Sequence, residues 1–194
     1  MIFLRFLRYR IKADINIKRS AVRLLIIYFL LLSFAFAEDD SNEIIDVYFS
    51  PKGGCTEAIV RQIYGAKKEV LVISYLLTSK PIAQAIVEAY NRGVSVLVVL
   101  DKSNKNSKYS PADFLSYYGI PVYIDSAHAI MHNKVIIIDN EVVITGSFNF
   151  TGSAENKNAE NLLIIKSTEY AGKYKSNFNL HMEHSALYYP KLIK

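Results

Sequence analysis

A histidine, a lysine two residues later, an aspartate after four more and a Gly-Ser-x-Asn run after a further six stand together as His132, Lys134, Asp139, Gly146, Ser147 and Asn149. Chance would assemble six such typed positions in roughly one chain per hundred thousand or fewer. The spacing suits phosphate chemistry. On a strand, residues two apart point to the same side, so His132 and Lys134 project together: an imidazole able to attack phosphorus beside an ammonium able to hold a phosphate oxygen. A turn after Asp139 returns the chain alongside, so Gly146-Ser147-Phe148-Asn149 lies near the start of the motif. There the Ser147 hydroxyl, the Asn149 amide and backbone N–H groups can donate to the remaining phosphate oxygens.

Other chemistry-bearing residues have plainer readings. His128 lies four before His132, a helical metal-pair spacing, but the segment leads into a strand and no third ligand is evident. Metal binding is therefore not expected. His181 and His184 are read as an exposed helix face. Asp101 follows a Val-rich strand and is either a strand-end acid or a loop cap. Phe148 and Phe150 either stack on a ligand or pack beneath the Gly-Ser-x-Asn loop.

The elements that must position these groups follow from periodicity and punctuation. Ile44 to Ser50 is apolar and β-branched enough for a strand, closed by Pro51-Lys52-Gly53-Gly54. Thr56 is the expected cap of a helix through Lys67, and Glu69 to Leu77 reads as a buried strand. Pro81 suits the first turn of a helix to about Asn91, ended by Arg92-Gly93 and followed by the strand Val94 to Leu100. Asp101 to Tyr109 is a polar loop, Ser110-Pro111 opens a short helix to about Tyr118, and Pro121 to Ile124 is a short strand. Lys134 to Ile138 and Val142 to Thr145 form two strands around a turn at Asp139-Asn140-Glu141. Asn161 to Lys166 is a further strand, and a final helix runs from Glu169 to about Ser185. The expected fold is α/β: a mixed, largely parallel β-sheet flanked by helices on both faces, an α-β-α sandwich. No internal repeat is visible.

Composition bounds the partners. The 194 residues are 51% apolar, enough for one sizeable core, and carry a formal charge of +5. That charge is local. Residues 1–37 hold Arg5, Arg8, Arg10, Lys12, Lys18, Arg19 and Arg23 against Asp14 alone, a net of +6, which leaves −1 on the rest. The basic stretch, the apolar run Leu24 to Ala37 and the acidic Glu38-Asp39-Asp40 resemble a secretory signal cut after Ala37, and an uncleaved anchor is the weaker reading. The basic stretch is long enough that translation could begin after Met1. The expected layout is a signal peptide over 1–37, a linker over 38–43 and a catalytic domain over 44–194, secreted or periplasmic. Cys55 is the single cysteine, so no internal disulfide can form. A small buried residue near a helix start is preferred to a bond between two copies.

The His132–Asn149 pattern resembles the signature of the phospholipase D superfamily. Phe49-Ser50-Pro51, Ser74-Tyr75, Thr78-Ser79, Arg92-Gly93-Val94, Met131-His132-Asn133-Lys134 and Asn158-Ala159-Glu160-Asn161 extend the resemblance over most of the region after the leader. It is closest to the small single-motif members, which include bacterial endonucleases, mitochondrial-surface homologues and short secreted phospholipases D of intracellular bacteria. The resemblance implies that His132 becomes a phosphohistidine, that Lys134 and Asn149 bind phosphate, and that Ser147 supports them. It also implies that Glu160 orients the histidine, while Asp139 is expected to order its turn rather than touch substrate. No cofactor is implied.

In-line displacement needs a nucleophile on one side of phosphorus and a proton donor on the other. One motif per chain therefore implies a homodimer with a shared active site, in which the second His132 protonates the leaving group. The favoured substrate is a phospholipid membrane, with phosphatidylcholine hydrolysed to phosphatidic acid and choline. Cleavage of DNA or RNA is the alternative, weakened by the −1 charge because nucleic-acid binding rests on many Lys and Arg contacts. Lys102, Lys105 and Lys108 remain a local basic patch that could line a groove. An inactive phosphate-binding module is the minor third reading.

Overall fold

A computed structural model describes residues 43–105 and 110–190, together with Leu25 and Tyr28. The expected signal peptide apart from Leu25 and Tyr28, most of the linker and Lys108 lie outside the described residues. Met1–Asp39 forms a unit by itself, within which Leu25 and Tyr28 are helical; the second unit is Asp40–Lys194.

The second unit is built on one eight-stranded sheet in the order β1-β7-β6-β5-β2-β3-β4-β8. Its strands are β1 (Glu43–Ser50), β2 (Glu69–Ser74), β3 (Ser95–Asp101), β4 (Val122–Asp125), β5 (Lys134–Ile138), β6 (Val142–Gly146), β7 (Glu160–Lys166) and β8 (Ala186–Leu187). The helices are α1 (Cys55–Gly65), α2 (Lys80–Asn91), α3 (Pro111–Tyr117), α4 (Gly152–Asn156) and α5 (Thr168–Glu183).

The sheet is mixed, as expected, but its parallel part is smaller than the strand–helix alternation suggested. Among the described strands only β2-β3 and β3-β4 pair in parallel; the other five strand pairings are antiparallel. Two connections explain the difference. The chain leaves β1 through α1 and enters β2 with three strands between them, so β1 sits at the far edge against β7 rather than beside β2. The space between is filled by β5, β6 and β7. The tight turn joining β5 to β6 forces antiparallel pairing, and Asp139 and Asn140 both take positive φ there, 54° and 57°.

Both faces are covered. Val70 and Val72 of β2 point into the larger core with Ile59 and Ile63 of α1, Ile82 and Ile86 of α2, and Leu115 of α3. Leu71 and Ile73, one residue out of phase, join Val99, Val135, Ile137 and Val143 under Ala171 and Phe178 of α5. The alternation of a strand buried on both sides thus assigns each residue to one of two layers.

Two local expectations change. Helix α1 is not capped by the Thr56 side chain: its N-cap is Gly54, at φ 82°. The Glu155 carboxylate instead accepts the N–H groups of Gly54 (3.2 Å) and Thr56 (2.7 Å), bringing negative charge to the helix N-terminus from a residue 99 positions away. The final helix stops at Glu183, and Ala186–Leu187 then adds an edge strand beside β4.

Candidate active site

The ends of four central strands meet at one edge of the sheet. Lys134 opens β5 opposite Ser74 at the end of β2, and Gly146 closes β6 opposite Leu162, two residues after Glu160 opens β7. The Tyr75 N–H donates to the Asn133 carbonyl at 2.8 Å, which ties the residue beside His132 to the end of β2.

His132 is exposed, whereas Lys134 is 6% exposed. The Lys134 ammonium donates to the His132 carbonyl at 2.7 Å and lies 5.3 Å from the Tyr75 ring centre. The same tyrosine packs on the imidazole, with ring centres 4.7 Å apart and planes inclined at 55°. Tyr75 therefore walls both groups, a contact invisible in the sequence apart from the Ser74-Tyr75 pair. Burial holds the Lys134 ammonium below the usual lysine range, and the negative charge of Glu160 partly restores it.

Ser147, Asn158 and Glu160 form a hydrogen-bonded group at the same edge. Ser147 Oγ donates to Glu160 Oε2 at 2.6 Å, Asn158 Nδ2 donates to Glu160 Oε1 at 3.0 Å, and the Asn161 N–H donates to Ser147 Oγ at 3.1 Å. Asn158 entered the sequence reading only as a flanking position; here it fixes one carboxylate oxygen. Within the chain Glu160 is thus held by Ser147 and Asn158 and acts on Lys134 through its charge. Asn149 Oδ1 is buried without a hydrogen-bond partner among the described residues, and an amide with an unused end is suited to a ligand. Turned about its Cβ–Cγ bond, it presents an N–H donor at that place.

Asp139 stands at the other end of β5. Its carboxylate accepts three consecutive backbone N–H groups, from Lys67 (2.9 Å), Lys68 (2.7 Å) and Glu69 (2.9 Å). Burial would raise its pKa, but these bonds hold it below the usual aspartate range. Asp101 is a loop cap: 2% exposed, it accepts the Ser103 N–H at 2.8 Å and the Met131 N–H at 2.9 Å, pinning the residue before His132.

Phe148 and Phe150 are fully buried in the larger core, which leaves neither ring free to stack on a ligand. Phe150 also joins the Gly-Ser-x-Asn loop to the end of β2, donating to Leu76 O and accepting from Thr78 and Ser79 N–H. Cys55 is fully buried and its thiol is pushed up to about 11 by burial, so a bond between two copies through it is disfavoured. Of the basic patch, Lys102 Nζ donates to the His128 carbonyl at 2.9 Å and Lys105 is exposed. His181 is 8% exposed rather than on an open helix face, and it gathers with His184, His128 and Asp125. His132 is not among them, so the His128–His132 spacing marks no metal pair; His128 meets Asp125, His181 and His184 instead.

A family model described as cardiolipin synthase, PLD-like domain, matches residues 59–182. The chain is 41% identical to phospholipase D of Rickettsia bellii over 138 residues, 71% of this chain and 69% of that one. Nuc, a phospholipase D family member from Salmonella typhimurium, superposes with a TM-score of 0.73 at 33% identity, covering 76% of this chain and 99% of that one. NucT from Helicobacter pylori gives 0.68 at 27%, over 74% and 98%. A match covering the strands and loops that converge on His132, Lys134, Ser147 and Glu160 joins the geometry to a common ancestry: the chain belongs to the phospholipase D superfamily and is a phosphodiesterase.

Proposed function

We propose that the enzyme is a phospholipase D that hydrolyses phosphatidylcholine to phosphatidic acid and choline through a phosphohistidine on His132. The observation that carries the chemistry is the exposed His132 imidazole above the buried Lys134 ammonium, both walled by Tyr75. An imidazole nitrogen attacks phosphorus, and the P–O bond to the alcohol breaks, leaving its electron pair on oxygen. Lys134 and the Asn149 amide hold the non-bridging oxygens, whose charge grows as the nucleophile adds. Ser147 and Asn158 hold the Glu160 carboxylate near Lys134.

The leaving oxygen takes its proton from the imidazole of a second copy, because the single His132 is spent as nucleophile. Water then attacks the phosphohistidine and gives a proton to that same partner imidazole. A homodimer with a shared site is thus part of the proposal, as is export by the leader.

Lipid is favoured over nucleic acid by the resemblance to proteins named phospholipase D at 41–42% identity and by the net charge of −1 after residue 37. The second reading, an endonuclease, is favoured by the near-complete coverage of the Nuc chain. The test offers phosphatidylcholine vesicles and plasmid DNA side by side to the full chain. Choline release without nicking is the expected result; nicking without choline release reverses the substrate. The His132→Asn variant should lose turnover, and activity within tenfold of wild type would remove His132 as nucleophile. A fully active monomer would refute the shared site.

A further inference from the structure

Away from Lys134 and Glu160, four side chains from two distant parts of the chain converge on one point. Asp125 ends β4, His128 follows three residues later, His181 lies in the last turn of α5 and His184 is its C-cap. Their donor atoms all lie within 4.8 Å of one another. Asp125 Oδ2 is 2.9 Å from His128 Nδ1, 2.9 Å from His181 Nδ1 and 3.2 Å from His184 Nε2.

We propose that Asp125, His128, His181 and His184 form a binding site for a divalent transition metal of the zinc class. Hydrogen bonding alone accounts poorly for this arrangement. Three imidazole N–H groups would have to share one carboxylate oxygen, which offers two lone pairs. The other oxygen, Oδ1, already accepts the N–H groups of Ala127 (3.0 Å) and His128 (3.3 Å). An ion at the centre removes the crowding, because each imidazole then contributes a lone pair.

Zinc takes nitrogen at about 2.0–2.1 Å and carboxylate oxygen at about 2.0–2.2 Å in a tetrahedron, which sets the donors roughly 3.3–3.5 Å apart. The three distances from Asp125 Oδ2 are slightly below that spacing and the widest separation is above it, so small ring rotations close the set. Three imidazoles and one carboxylate suit zinc rather than calcium or magnesium, which prefer oxygen. Four protein ligands leave no open position, the form of a structural site.

The surroundings extend the argument. The Asn133 amide lies 3.2 Å from His181 Nε2. With its oxygen facing the ring it accepts the Nε2–H and leaves the Nδ1 lone pair for the metal. Asn133 stands between His132 and Lys134, so the ion would clamp the loop bearing the nucleophile to α5.

The test uses the full chain without a polyhistidine tag, stripped of metal and titrated with Zn2+ against a chromophoric competitor, with Co2+ as a spectroscopic probe. The His128→Ala and His184→Ala variants alter the two more exposed ligands, at 47% and 36%, so loss of binding need not mean loss of folding. Wild type should take up one zinc per chain, show the visible bands of tetrahedral cobalt(II), and gain about 5 °C or more in Tm at saturating zinc. The double variant should lose all three responses. His132→Asn should bind zinc as wild type does, whether or not the phosphohistidine reading holds. Uptake no greater in wild type than in the double variant, an unmoved Tm, or loss of uptake in His132→Asn would each overturn the site.

Discussion

The Ser147 hydroxyl donates to Glu160 Oε2 over 2.6 Å while accepting the backbone N–H of Asn161 over 3.1 Å, so the loop after β6 is joined to the first residues of β7 by one oxygen. The hydroxyl therefore fixes the carboxylate whose charge bears on Lys134. Replacing Ser147 by Ala releases Oε2 of that carboxylate, leaving Asn158 alone to hold it through Oε1, without emptying the core. The expected result is a fall in kcat of about 10- to 100-fold, with Tm lowered by no more than about 4 °C for the lost bond. Unchanged kcat in steady-state assays would remove Ser147 from the working site.

Glu160 and Lys134 oppose burial together. Burial lowers the Lys134 pKa and the Glu160 charge raises it. In Glu160→Gln the opposing charge is gone while an amide oxygen can still accept from Ser147, so the lysine falls further. The ammonium exists below the Lys134 pKa and is lost as pH rises through it. The alkaline limb of kcat/KM should accordingly move to lower pH in the variant. A limb that stays in place or moves upward would show that Glu160 does not sustain the lysine charge.

At the other end of β5, Asp139 acts on stability. Its carboxylate satisfies three amides in succession before β2, and Asp139→Ala leaves them to solvent at a cost of about 2 kcal/mol. Its folded pKa is depressed, so its stabilisation is present above the unfolded aspartate pKa and is lost as pH falls through the folded value. Urea unfolding should show the gap between wild type and variant at neutral pH and its narrowing in acid. Turnover per folded molecule should stay near wild type, since Asp139 is remote from His132.

The same residues show what can be read before folding. His132, Lys134, Ser147 and Asn149 are legible because their relation is local: a period of two along a strand and one tight return bring them together whatever else the chain does. The strand order is not local. The alternation of β1, α1 and β2 is the same whether β1 pairs beside β2 or crosses to β7, and only the placement of β5 to β7 between them decides. The metal-type cluster is harder still. Asp125 and His128 are separated from His181 and His184 by more than 50 residues, and no periodicity in α5 announces that its last turn faces the end of β4. The cap on α1 by Glu155 was hidden for the same reason, since Thr56 offers a nearer candidate and nothing local points to a carboxylate 99 residues away.

Gly146 carries the closest backbone approach at the site, and the consequence of filling it can be set against a control. Its φ is 147°, within the range that side chains avoid, and a Cβ there would lie 2.3 Å from the Asn161 carbonyl oxygen and 3.0 Å from its carbon. Both are backbone atoms, so no side-chain rotation relieves the overlap, and β6 must part from β7 where Gly146 pairs with Leu162. That movement also strains the Phe148 N–H bond to the same carbonyl, at 3.2 Å, and carries Ser147 away from Glu160. Gly146→Ala should therefore lose about 3 kcal/mol or more of stability and most of its turnover. Gly152, six residues on at the start of α4, has open space where its Cβ would stand, so Gly152→Ala should remain within about 0.5 kcal/mol of wild type. Urea unfolding and choline-release assays on the pair separate the two positions. A Gly146→Ala protein as stable and active as Gly152→Ala would mean that the β6–β7 junction yields freely and does not hold Ser147 in place.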